Sequence, residues 1–226
     1  MADTSGFAAA RQSVGEIAAD LPGASAVFRS FGIEFCCQGH VTLQDAADHR
    51  GLDPRAVEAA LGALDPDAAP EAPRQTAALI DHIRTRYHDV HRRQLSGLIA
   101  LSETVETAHL HHPRAPLGLT QALNHFRGEL ETLMDEQETM LFPALTGAVT
   151  APTGLAIRNM RHNHGQYAAI MDRIDRMTDN GTVPADACAS WRALYADLAR
   201  FRADLIEHLH LENNVLFPRF DTASHA

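Results

Sequence analysis

His208 and Glu212 stand four residues apart in the stretch His208-Leu209-His210-Leu211-Glu212-Asn213-Asn214-Val215-Leu216-Phe217-Pro218. On a helix both side chains leave one face, a turn apart. A neutral imidazole stacked on a carboxylate suits one borderline metal ion such as iron, manganese or zinc. Leu205, Leu209, Val215 and Leu216 make the surroundings apolar, so the pair is expected to point into a core. A buried carboxylate is costly without a counter-ion, and a metal supplies one. The competing reading is a solvent-exposed His/Glu pair that binds nothing. This stretch alone leaves both open.

A second chemical signal is Phe35-Cys36-Cys37-Gln38-Gly39. A lone buried cysteine is usually a small hydrophobe. Two adjacent ones on a glycine-containing turn are harder to explain as packing. Free backbone N–H groups ahead of a helix favour thiolate chemistry with a metal, nitric oxide or sulfur. A disulfide between neighbouring residues strains the peptide that joins them, so it would be reducible.

The elements that must position these groups read as helices throughout. Ser13 and Glu16 make a capping box for a first helix, and Pro22-Gly23 ends it. Ala24 to Phe31 is a second short helix, stopped by Gly32. Thr42 caps a third over Leu43 to His49. Asp53-Pro54 opens a fourth, which runs on over Val57 to Leu64. These make a small helical domain, residues 1–64. Residues 65–74 hold three prolines and no apolar periodicity, and read as a linker. Four long amphipathic segments then fill 75–226. They start near Thr76, Thr120, Leu155 and Ala187, with turns at His112-Pro113 to Pro116, Thr150 to Gly154 and Asp179 to Pro184. Short connections between long helices predict an antiparallel four-helix bundle, so the fold class is all-α.

Composition narrows the partners. A net charge of −10 over 226 residues argues against nucleic acid or an anionic membrane surface. No run of about 18 apolar residues offers a membrane span. The N-terminus shows no basic region followed by an apolar stretch, so no secretory signal is read. Three cysteines, two adjacent, make no disulfide framework, and a reducing cytoplasm is the expected compartment.

The bundle contains a repeat. Leu141-Phe142-Pro143 closes its second helix and Leu216-Phe217-Pro218 its fourth. Counted back from these, His208 matches Leu133 and Glu212 matches Gln137. His88 precedes Leu133 by nearly the same interval as His164 precedes His208. A two-helix unit used twice would bring His88, His164 and the 208/212 pair to one level of the core.

These residues carry a resemblance. The chain resembles the repair-of-iron-centres proteins, which join an N-terminal Cys-Cys domain to a hemerythrin-like di-iron bundle. The matching stretches are Phe35-Cys36-Cys37-Gln38-Gly39, Ile80-Asp81-His82-Ile83 with Arg86-Tyr87-His88-Asp89, and Glu207-His208 with Leu211 to Pro218. The resemblance implies non-haem iron ligated by His88, His164, His208 and Glu212, with Cys36 and Cys37 as the working thiols. It implies restoration of damaged iron–sulfur proteins, or of their scaffold, under nitrosative or oxidative stress, with nitric oxide or dioxygen as small ligand. A homodimer is compatible with it.

One departure limits the carry-over. The family places a His and a bridging Glu where this chain has Leu133 and Gln137. Leu cannot ligate, and Gln is a neutral, weak donor. Glu138 is adjacent, but one residue turns about 100° along a helix, off the core face. The expectation is one iron position from His88, His208 and Glu212, with His164 a fourth ligand, or two irons with the second weakened. A gas or redox sensor and a metal-free interaction bundle are the alternatives. His109 lies about 31 Å beyond His88 along an unbroken helix and is left out of the ligand set. His82, His91, His111, His112 and His210 are read as surface or supporting residues.

Overall fold

The computed structural model describes residues 10–70, 72–148 and 153–221. Part of the expected turn at Thr150 to Gly154 lies outside them, as does Glu71 of the linker. The described residues are helical, with no strand and one isolated antiparallel bridge between Ser13 and Thr42. The all-α expectation holds. Two compact units are present: the chain up to Leu79 together with the stretch from Glu207, and Ile80–Ile206.

The first unit contains α1 (Val14–Asp20), α2 (Ala24–Phe31), α3 (Leu43–His49) and α4 (Pro54–Gly62). Their starts follow the capping residues read from sequence. Ser13 and Glu16 form the reciprocal box, Thr42 accepts from Asp45 N–H, and Asp53 accepts from Arg55 N–H ahead of Pro54. Val14, Ala24, Phe28, Phe35, Leu43 and Val57 are buried together as the small core. Against α1 packs the turn Leu211–Leu216.

Four rods make up the chain from Thr76 on, and the second unit takes them from Ile80 to Ile206. The helix α5 comprises Thr76–Ile83, a π turn Arg84–His88 and Asp89–Ala108. Leu119–Glu136, the π turn Gln137–Leu141 and Phe142–Leu145 make α6. Thr153–Met177 is α7. Ala189–His210 is α8, continued by the π turn Leu211–Leu216 and a 3-10 turn Phe217–Phe220. Phe126 anchors the core, its ring 5.3 Å from Tyr167 of α7 and 5.9 Å from Phe201 of α8. Edge-to-face pairs of this kind add roughly 0.5–1.5 kcal/mol to the burial term.

Sequence periodicity placed the rods but not the three π turns. In each, one N–H reaches back five residues: Asp89 to Arg84, Phe142 to Gln137, and Phe217 to Glu212. The last two are the Phe of the repeated Leu-Phe-Pro. A proline has no N–H and its ring crowds the carbonyl four residues earlier. Opening the preceding turn by one residue relieves both. Such bulges concentrate at functional sites, and here they contain His88, Gln137 and Glu212.

The entry to α6 depends on one carboxylate. Glu106 accepts from Gly118 N–H at 3.1 Å, Thr120 N–H at 2.6 Å and the Ser102 hydroxyl at 3.3 Å. Burial works to raise its pKa, but the donors from Thr120, Gly118 and Ser102 win and hold it below the ordinary value. A depressed folded pKa stabilises above the unfolded carboxylate pKa and loses that contribution as pH falls through the folded value. Glu106→Gln is expected to cost about 1–2 kcal/mol near pH 7 by urea unfolding. The gap to the parent protein should shrink as the medium is acidified below pH 4.5.

Candidate metal centre

In the first unit, His208 and Glu212 are both fully buried, with His208 Nε2 3.2 Å from Glu212 Oε1. The exposed-pair alternative therefore fails. Two bonds of about 2.1 Å meeting near a right angle span about 3.0 Å, so this spacing fits two neighbouring ligands of one ion. Leu205, Leu209, Leu211 and Leu216 of the same stretch are buried as well.

The next turn fixes the cysteines. Asn213 donates its side-chain amide to the Cys36 carbonyl at 2.9 Å, and Asn214 donates to the Phe35 carbonyl at 2.9 Å. Gly15 and Gly39 allow this approach, since a Cβ on either would collide with the Asn214 side chain. His210 is buried, its ring 5.2 Å from that of Phe35. Burial drives its pKa down to about 4, with Arg29 adding to the fall and a bond to the Ala18 backbone opposing it. The Cys-Cys turn and the His208/Glu212 pair thus belong to one compact unit, joined by two asparagines whose role the sequence did not reveal.

Glu34 also escaped the sequence reading. Its carboxylate accepts from the backbone N–H groups of Cys36 at 3.0 Å, Cys37 at 2.9 Å and Gln38 at 2.7 Å, and from the Cys36 thiol at 2.9 Å. Cys36 is buried and Cys37 half-buried, with their sulfurs 3.5 Å apart. Bonding to Cys37, burial and the two neighbouring charges push the Cys36 thiol well up. The expected lowering of thiol pKa on this turn is thereby reversed for Cys36. The free N–H groups that would have produced it are taken by Glu34.

In the second unit His88 is fully buried on its π turn. Its Nδ1 lies 2.8 Å from Glu138 Oε1. Arg92 also donates to that oxygen, at 3.0 Å. Burial opposes ionisation of Glu138, but His88 and Arg92 outweigh it, and the carboxyl sits below its ordinary pKa. An ionised carboxylate only accepts, so His88 Nδ1 is the donor in this contact. Glu138 is thus off the core face, as expected. It is not idle: it holds the donor at His88 Nδ1. Gln137 and Leu133 are buried in the core at the positions the repeat assigned them.

His164 is buried on α7, while His162 two residues earlier is exposed. Among the supporting histidines His91 is buried beside Phe201 and bonds Gln94, whereas His111 is exposed. His109 sits against Trp191 with its Nε2 3.2 Å from Cys188 Sγ. Within the first unit, Glu34, Cys36 and Cys37 make one group that could hold a metal ion, and His208 and Glu212 make a buried pair of donors.

Comparison with known proteins decides the family. Residues 79–220 match the model of the hemerythrin HHE cation binding domain, and residues 10–65 match a domain of unknown function, DUF542. The chain is 42% identical over 211 residues to the iron-sulfur cluster repair protein YtfE of Dickeya chrysanthemi, covering 92% of this chain and 96% of that one. It is 38% identical over 215 residues to a probable iron-sulfur cluster repair protein of Haemophilus influenzae, covering 93% and 96%. The YtfE protein of an Escherichia coli strain is 39% identical over 210 residues, covering 92% and 96%.

This chain belongs to the iron–sulfur cluster repair family with a hemerythrin-like domain.

The fully buried His208 and Glu212 fit the non-haem iron of such a domain, as a nitrogen and an oxygen donor with one formal negative charge. A carboxylate that orients a ligating imidazole typically contributes 10–100-fold to metal affinity. Glu138→Gln, which cannot hold the same charge against His88, is expected to lower iron affinity about tenfold, read by competition with a chromophoric chelator. Glu129→Gln, an exposed change on α6 nine residues before Glu138, should leave it unaltered.

Proposed function

We propose that this protein restores iron–sulfur centres damaged by nitric oxide or oxidants. It would use iron held by His88, His164, His208 and Glu212, and the thiols of Cys36 and Cys37. The observation that carries the proposal is the fully buried His208–Glu212 pair, in a chain about 40% identical to proteins named for cluster repair. His164 joins the set on its burial and its place in the repeat.

Iron supplies an exchangeable coordination position for a small ligand such as nitric oxide or dioxygen. The chain's own residues do the rest. Glu138 holds the proton on His88 Nδ1. His208 and Glu212 are buried, as are Leu205, Leu209, Leu211 and Leu216 of the same stretch. Asn213 and Asn214 tie the thiol turn to the helix that bears the ligands.

In this reading residues 75–226 hold the iron, 1–64 supply the thiols, and 65–74 join them. Leu133 and Gln137 remove one imidazole and one charge, so the second iron position is the weaker. The acceptors are damaged iron–sulfur proteins or a scaffold that rebuilds them, in the cytoplasm. None of the described helices is long and apolar enough to cross a membrane.

The test uses purified protein and a dehydratase whose cluster has been broken by nitric oxide. The parent protein should restore its activity. His208→Ala should lose iron and restoration together. Cys36→Ser with Cys37→Ser should keep iron and lose restoration. A His208→Ala variant that restores the enzyme as well as the parent would overturn the proposal.

A further inference from the structure

The turn Glu34-Phe35-Cys36-Cys37 is built around a carboxylate that already collects three backbone N–H groups and one thiol. Three acid groups, two of them sulfur, converge there. Ligand atoms of Glu34, Cys36 and Cys37 all lie within 4.8 Å of one another. The Cys36 and Cys37 sulfurs are 3.5 Å apart. Two metal–sulfur bonds of about 2.3 Å at a tetrahedral angle place their sulfurs about 3.8 Å apart. The dithiol is therefore within about 0.3 Å of a chelating spread before any metal arrives. By the same construction a sulfur and a carboxylate oxygen on one tetrahedral ion sit about 3.5 Å apart. Cys36 Sγ and Glu34 Oε1 are at 2.9 Å, so a small outward swing of the glutamate completes three corners.

We propose that Glu34, Cys36 and Cys37 form a second metal site, separate from the histidine cluster, for a thiophilic divalent ion such as Fe2+ or Zn2+. It takes two thiolates and one carboxylate, and leaves a fourth position open. The inference deepens the repair reading and rests on it for purpose: a dithiolate that holds Fe2+ is a waiting place for iron bound for a damaged centre.

The physical case is one of charge. Without a cation the Cys36 thiol is held up by its bond to Cys37, by burial and by the neighbouring charges. A divalent ion offsets those charges and takes the place of the proton in the Cys36–Glu34 contact. On binding, each thiol loses one proton to solvent, two sulfur–metal bonds form, and no electron is transferred. Glu34 differs from an ordinary turn-capping acid in one respect. Its Oε1 faces the sulfur as well as the amides, while Oε2 is left to hold Gln38 N–H. The two asparagines fix the backbone carbonyls of Phe35 and Cys36, so the sulfurs are held without help from the metal.

The experiment is a Co2+ titration of the full-length protein, carrying Cys188→Ala so that the third cysteine cannot contribute. A thiolate-to-cobalt charge-transfer band reports sulfur ligation alone, and the histidine cluster cannot produce it. One equivalent of band is expected, bleached by Zn2+ or Fe2+. Cys36→Ser and Cys37→Ser should each abolish its full intensity. Glu34→Gln should weaken Co2+ at least tenfold while Glu34→Asp recovers part of the loss. Circular dichroism confirms that each variant is folded. No charge-transfer band in the folded parent would overturn the second site. So would a band that survives loss of both cysteines, or a Co2+ affinity unchanged in folded Glu34→Gln. If the band is absent but the Cys36→Ser, Cys37→Ser protein still fails to restore a damaged enzyme, the site falls and the repair reading stands.

Discussion

A carboxylate with no access to water is the constraint on which this structure turns. Glu212 is fully buried next to an equally buried imidazole. Removing an ionised carboxylate from water costs several kcal/mol even after relaxation, unless a positive charge is brought in with it. Leu205, Leu209, Leu211 and Leu216 of the same stretch are buried with it. The protein is therefore built as though a cation belonged there, and the rest of the architecture keeps that environment dry and the donors aimed. The Glu212 carbonyl accepts the wide π-turn bond from Phe217, and the proline that follows prevents the helix from closing normally.

The same device recurs at Gln137, whose carbonyl accepts from Phe142. There the charge has been removed while the geometry is kept. A neutral amide now occupies the position that the repeat would fill with a second carboxylate, and Leu133 stands where an imidazole would be. The loss is one of charge and donors, not of packing. Glu138 does not compensate for it directly. Its charge is spent on His88 and Arg92, one layer outside the core. The two halves of the bundle are thus alike as scaffolds and unequal as ligand sources.

Much of this was legible in the chain itself. Helix starts followed from Ser13, Thr42 and Asp53, whose side chains can satisfy free N–H groups. The rods followed from apolar periodicity, and the burial of His88, His164 and His208 from histidines spaced alike in two repeats. Three things were not legible, each for a physical reason. The π turns leave no compositional mark, because the extra residue changes phase without changing residue type, although the paired Leu-Phe-Pro was a clue. Glu138 was set aside by helical phase. That argument holds for the core face but says nothing about a layer outside it. Glu34 and the two asparagines act through backbone groups of the Cys-Cys turn, and the path of a turn cannot be read from periodicity. The expectation of an acidic thiol failed at Cys36 for the same reason: the amides counted as free were already given to Glu34.

The most direct measurement of the central claim is the thermal stability of the metal-free protein on adding Fe2+ under anaerobic conditions, compared with Glu212→Gln, both carrying Cys36→Ser and Cys37→Ser so that the thiols cannot bind the ion. If the buried carboxylate requires the ion, Fe2+ should raise the Tm of the parent by several degrees, as binding to the folded state alone must. Glu212→Gln has the same shape and no charge to neutralise, so it should show little or no rise. Equal Fe2+ shifts in the two proteins, or none in either, would contradict the account.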